Sequence, residues 1–106
     1  MRGVIKGVLA EELENSLRMK KGYESALNKL PKGCLSAKNI KGHKYYYLVQ
    51  RKGNSIKYLY KGKVSLKEIN KYKEIKVSRA RYRNLLSKVK RQVRFLRSSL
   101  RGKEPI

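Results

Sequence analysis

The chain has 106 residues, with 29 Lys and Arg against seven Glu and no Asp, a formal charge of +22 at neutral pH. Leu, Ile, Val and Phe supply about a quarter of the residues, which argues against intrinsic disorder, and one cysteine excludes an intramolecular disulfide. The longest purely apolar or aromatic run, Tyr45 to Val49, is far too short to span a bilayer.

In chain order, residues 8–30 read as a helix. Leu9, Leu13 and Leu17 are spaced four apart, and Met19, Tyr23, Ala26 and Leu30 continue at four, three and four. The two runs do not share one stripe, so a bend is expected near Gly22. Pro31 and Gly33 end the helix.

Residues 34–61 read as a three-stranded antiparallel meander: Leu35 to Ile40, His43 to Arg51 and Ser55 to Lys61. Lys41-Gly42 and Lys52-Gly53-Asn54 supply the turns. Alternation puts His43, Tyr45, Tyr47 and Val49 on one face of the middle strand, and Lys44, Tyr46, Leu48 and Gln50 on the other. A single helical layer can cover only one of these faces. Most of the strand tyrosines are expected in the core between sheet and helices, and a minority outside.

Residues 65–101 read as a long helix. Ser65 is placed as its N-cap with Glu68 completing a capping box, and Val64 can staple onto Ile69. Tyr72, Ile75, Tyr82, Leu86, Val89, Val93, Leu96 and Leu100 form a seam at alternating spacings of three and four, with Arg79 in the one missing position. Gly102 and Pro105 mark the stop. Unbroken, the helix is roughly 54 Å long at 1.5 Å per residue, too long for a three-stranded sheet to cover alone. A break is conceivable at Val77-Ser78. The expected fold is α+β in a single domain, 1–106: an N-terminal helix, a β-meander and a long C-terminal helix, with the two helices packed antiparallel.

The functional signal is the distribution of charge. No acid lies between Glu24 and Glu68 or between Glu74 and Glu104, and each gap holds eleven Lys or Arg. Such self-repulsion implies a dense polyanion as partner, and nucleic acid, DNA or RNA, is the leading reading. On the last helix Arg83, Lys90, Arg94, Arg97 and Arg101 form a basic stripe beside the seam, with Arg91, Arg81 and Lys88 on the adjacent surface. No nearby glutamate can pair with them at i,i+4, and guanidinium groups suit forked bonding to phosphate. In the strands Lys44, Arg51, Lys57 and Lys61 interleave with tyrosines, among which Tyr46 and Tyr58 are candidates for base contact.

Catalysis is not expected. His43 is the only histidine, and with Cys34 it offers two soft metal ligands where a closed zinc site needs four. Glu11, Glu12 and Glu14 share one helical turn and Glu68 is a cap, so no converging carboxylates are available; no cofactor is expected. Met1 to Leu13 is broken by Lys6 and followed closely by acids, unlike a secretory leader, and a cytoplasmic location without membrane association is expected. The competing reading is a coiled-coil interaction subunit, or an antitoxin-like partner of an acidic protein. In that case the Tyr82-to-Leu100 seam pairs with another chain or a second copy.

The strings Leu30-Pro31-Lys32-Gly33-Cys34-Leu35, Lys41-Gly42-His43-Lys44-Tyr45-Tyr46-Tyr47-Leu48 and Tyr60-Lys61-Gly62-Lys63-Val64 cover about 35 residues. In them the chain resembles a group of small, basic, uncharacterised prokaryotic proteins with an LPKG-S/C-L start, a KYYYL strand and a Y-x-G-K close before a charged helix. Cys34 stands where the group more often has Ser, which argues against a thiol role, and the resemblance implies no activity. More distantly, a three-stranded sheet followed by a helix is similar to the arm-binding domains of tyrosine integrases and some transposase N-termini, which lay the sheet in a DNA groove.

Overall fold

A computed structural model describes residues 2–101. Its elements are α1 (Arg2–Lys29), β1 (Cys34–Ile40), β2 (His43–Lys52), β3 (Ser55–Gly62) and α2 (Leu66–Arg101), the order the periodicity predicts. Contacts gather the chain read as one domain into two units, residues 2–29 with 80–101, and Leu30–Arg79. The predicted stops at Gly102 and Pro105 lie outside the described residues.

In the first unit, α1 and the second half of α2 pack as an antiparallel pair. The rings of Tyr23 and Tyr82 stand 6.3 Å apart, while Lys20, earlier in α1, lines one cleft with Lys90, Val93, Arg94 and Arg97, later in α2. The seam of α1 runs through Leu9, Leu13, Ser16, Lys20, Tyr23 and Leu27, with Leu17 and Ala26 half-buried beside it, and lies against that of Tyr82, Leu86, Val89, Val93, Leu96 and Leu100. Both sets step by four and three, the period of knobs-into-holes packing. Val89, Val93 and Leu96 are buried, and Ser16 is only 1% exposed.

This seam corrects the reading of α1. Ser16 and Lys20 occupy positions that an apolar search skips, so one stripe looks like two. Met19 falls outside it, 47% exposed, and Leu27 belongs to it. Accordingly α1 runs through Gly22 as one helix, and it begins at Arg2, not near Val8. Likewise α2 passes Val77-Ser78 without interruption.

The second unit holds a sheet in the order β1-β2-β3, both pairs antiparallel. The first hairpin turns through Lys41 (φ 51°) and Gly42 (φ 81°), the paired left-handed conformations that match strand twist. Between β2 and β3 the ladder passes from Tyr47↔Tyr60 to Tyr46↔Gly62, which leaves Lys61 as the extra residue of a bulge. At the start of α2, the Ser65 hydroxyl accepts the Glu68 N–H at 3.3 Å, the predicted cap.

The connection from α1 to β1 is held by side chains. Arg79 donates to the carbonyls of Pro31 (2.7 Å) and Gly33 (3.3 Å), and Gln50 donates to that of Lys32 (3.3 Å). Arg79 thus interrupts the apolar seam for a reason. A leucine there would gain about 1.5–3 kcal/mol from burial. Charge-assisted hydrogen bonds contribute about 1.5–3 kcal/mol each, and Arg79 makes two. Gly33 has φ +99°, and a Cβ on it would stand 2.8 Å from the Val49 carbonyl oxygen and 2.9 Å from Gln50 Cγ.

Two substitutions test this packing. Gly33→Ala combines a disfavoured φ with a backbone clash and should destabilise by more than about 1 kcal/mol; urea titration, with hydrogen exchange of the strand amides, reads the loss. Ser16→Ala removes a buried hydroxyl that has no hydrogen-bond partner. Its thermal midpoint should equal or exceed that of the parent, by up to about 1 kcal/mol of added stability.

Candidate functional site

The register decides which strand tyrosines are free. Leu35, Leu48 and Leu59 align across the sheet on one face. There Leu48 is buried, and Leu35, Ala37, Lys44 and Tyr46 share a cleft of about 400 Å³ with Ile69, Tyr72, Lys73 and Lys76 of α2. The first half of α2 therefore covers the Tyr46/Leu48 face, although Leu59, on edge strand β3, stays 47% exposed.

The opposite face is open. Alternation and pairing place Tyr45, Tyr47 and Val49 there beside Tyr60 and Tyr58 of β3, with Ser36 and Lys38 of β1. Tyr58 and Tyr60 are 63% and 62% exposed. This overturns the expectation that most strand tyrosines pack in the core: of the five, only Tyr46 faces the helix. Its ring is half-buried in the wall of the cleft, so Tyr46 does not join Tyr58 as a free aromatic surface.

The open rings are organised. Tyr60 meets Tyr47 edge-on at 5.4 Å between centroids and Tyr45 at 6.4 Å, and Tyr45 lies 6.5 Å from the His43 ring. The ammonium of Lys38 sits 5.2 Å from the centre of the Tyr47 ring, within cation–π range. Tyr60 extends along its own strand, with its Oη 3.5 Å from where a Cβ of Gly62 would stand. The tilted and edge-on contacts fix the rings, leaving Tyr45 and Tyr47 half-buried and much of Tyr60 in solvent.

The predicted strand cations divide. Arg51 is on the open face, opposite Ile56 and two pairs along the ladder from Tyr58. Lys44 and Lys57 point to the helix side, and Lys61 sits in the bulge; all four are exposed. Lys38 was missed because lysine on an alternating strand has no local signal; only the pairing of β1 brings it to Tyr47.

In the first unit, Arg83, Lys90, Arg91, Arg94, Arg97 and Arg101 are all exposed, as the stripe predicts. Lys90, Arg94 and Arg97 join Lys20 and Val93 around a cleft of about 370 Å³. Lys20 also was missed, because α1 reads as the least basic part of the chain. Its Nζ lies 3.9 Å from Glu24, and this is the single salt bridge among the described residues. The other described cations have no carboxylate partner among the described residues.

The Tyr82-to-Leu100 seam, which the coiled-coil reading offers to another chain, packs against α1 of the same chain. Cys34 and His43 sit at opposite ends of the β1–β2 ladder, where Cys34 pairs with Val49 and His43 with Ile40. Among the described residues no three His, Cys, Asp or Glu side chains gather as a metal site, and no helix is long and apolar enough to cross a membrane. No family model matches the chain, and neither does any curated protein or solved structure.

The division of the tyrosines is directly measurable. Limited nitration with tetranitromethane, mapped by peptide mass spectrometry, should modify Tyr58 and Tyr60 first, ahead of the half-buried Tyr46, Tyr72 and Tyr82.

Proposed function

We propose that this chain is a nucleic-acid-binding module without catalytic activity, acting in the cytoplasm. The observation that carries the reading is the absence of counter-charge. With +22 formal charges and one salt bridge among the described residues, the cations of both units remain available to an external polyanion. Two surfaces support it, one in each unit: the α2 stripe of Arg83, Lys90, Arg94, Arg97 and Arg101, and the open aromatic face flanked by Lys38 and Arg51. A single thiol, Cys34, suits a reducing compartment.

Phosphate oxygens are the natural acceptors for the stripe, and such contacts confer affinity with little sequence preference. The paired-seam alternative loses its main support, because a second chain would have to displace α1 from Tyr82, Val89, Val93 and Leu96.

Fluorescence anisotropy against labelled nucleic acid across salt concentrations tests the proposal. Affinity should fall linearly on a log–log plot. The triple variant Arg83→Gln, Arg94→Gln, Arg97→Gln should reduce the slope by about 2 to 3, one near-unit step per lost phosphate contact. An unchanged slope, or no binding at low salt, overturns it.

A further inference from the structure

We infer that the open face of the sheet binds single-stranded RNA, with bases stacked on Tyr58 and Tyr60 and backbone phosphates held by Lys38 and Arg51. This rests on the nucleic-acid reading and assigns it a ligand class and a second surface, distinct from the helix stripe. Two exposed aromatic rings on one strand are unusual unless something covers them, since large exposed apolar area favours association. Charge complementarity identifies the occupant. The face carries Lys38, Arg51 and no carboxylate, and the hairpin turns beside it add Lys41 and Lys52. An apolar protein surface would leave these cations unpaired, whereas a nucleotide strand presents a π-face and an anion in every unit.

Stacking requires unpaired bases. A duplex shows only base edges in its grooves, which are read by hydrogen-bonding groups such as Arg, Asn and Gln. The centre of this face has tyrosines and Val49 instead. Alternate residues on a strand are roughly 6.8 Å apart, about twice the 3.4 Å step of a stacked strand. Tyr58 and Tyr60 therefore suit splayed bases on an extended chain. The choice of RNA follows from the rims of the rings. Phenol hydroxyls, with the Ser36 hydroxyl and the His43 imidazole, surround the aromatic area with donors and acceptors. The ribose 2′-OH, itself donor and acceptor, can use them, and unpaired segments are the usual recognised form of RNA.

The test compares an unstructured RNA of about twelve nucleotides with DNA of the same sequence and with the RNA duplex. Anisotropy is measured at low and at physiological salt, alongside quenching of tyrosine fluorescence. Tyr58→Val with Tyr60→Val keeps strand propensity while removing both rings, and Tyr58→Phe with Tyr60→Phe keeps the stacking surface. The expected result is preference for single-stranded RNA, tyrosine quenching on binding, and about tenfold or greater loss in the valine variant. The phenylalanine variant should retain most single-strand affinity while its preference for RNA over DNA narrows, and duplex binding should be unchanged in both. Equal affinity for single strand and duplex, insensitive to the valine pair, overturns the sheet-face inference and leaves the phosphate reading standing. Equal, tyrosine-dependent binding of the DNA strand overturns the assignment to RNA. No binding of any of the three at low salt overturns the parent proposal as well.

Discussion

The short connection Pro31–Gly33 is where the second unit is fixed. Its three carbonyls are taken in turn by Arg79, Gln50 and again Arg79, and Gly33 is pressed against β2 so closely that no Cβ fits. The residue that follows, Cys34, opens the β1–β2 ladder opposite Val49. Strand register has a period of two, so a slip by one residue would turn every side chain of β1 to the other face. Holding the carbonyls of the connection sets which residues of β1 lie beside Tyr45 and Tyr47, and hence the presence of Lys38 over a ring. Arg79 does this from within an otherwise apolar seam.

Charge is the second constraint. Among the described residues only Leu48, Ile75, Val89, Val93 and Leu96 are buried large apolar side chains, a small core to set against a formal charge of +22. Long cationic side chains ease this by keeping their heads in water, and Lys20 does so within the helix seam. Repulsion among these groups opposes folding, and a bound polyanion would relieve it. Stability and polyanion binding would then be linked: the surface that weakens the free protein is the one a polyanion would neutralise.

Much of the secondary structure was legible from local chemistry. Ser65 and Glu68 mark the start of α2, glycine marks both hairpin turns, and alternation from His43 to Gln50 marks the central strand. The strands end within one residue of their predicted limits because turn and cap residues act locally. The seam of α1 was harder, since Ser16 and Lys20 carry no apolar signature while occupying core-facing positions. Its true phase emerges only against α2, where the pattern Tyr82, Leu86, Val89, Val93, Leu96, Leu100 selects the matching stripe.

Sequence alone determined the element order, the apolar seam of α2, the position of Arg79 as an exception in it, and the surplus of cations over acids. These follow from composition and from periodicities within single elements. The fate of the tyrosines was decided by tertiary structure. Tyr45, Tyr46 and Tyr47 are neighbours of one type on one strand, and nothing local ranks one face above the other. Packing of α2 on the Leu48 side settles the choice, turning Tyr46 into a cleft and Tyr45, Tyr47, Tyr58 and Tyr60 to the other face, where Tyr58 and Tyr60 are the exposed pair. Lys38 and Lys20 likewise gain their places from partners distant in the chain, because a lysine reports its neighbours only after strands pair and helices pack.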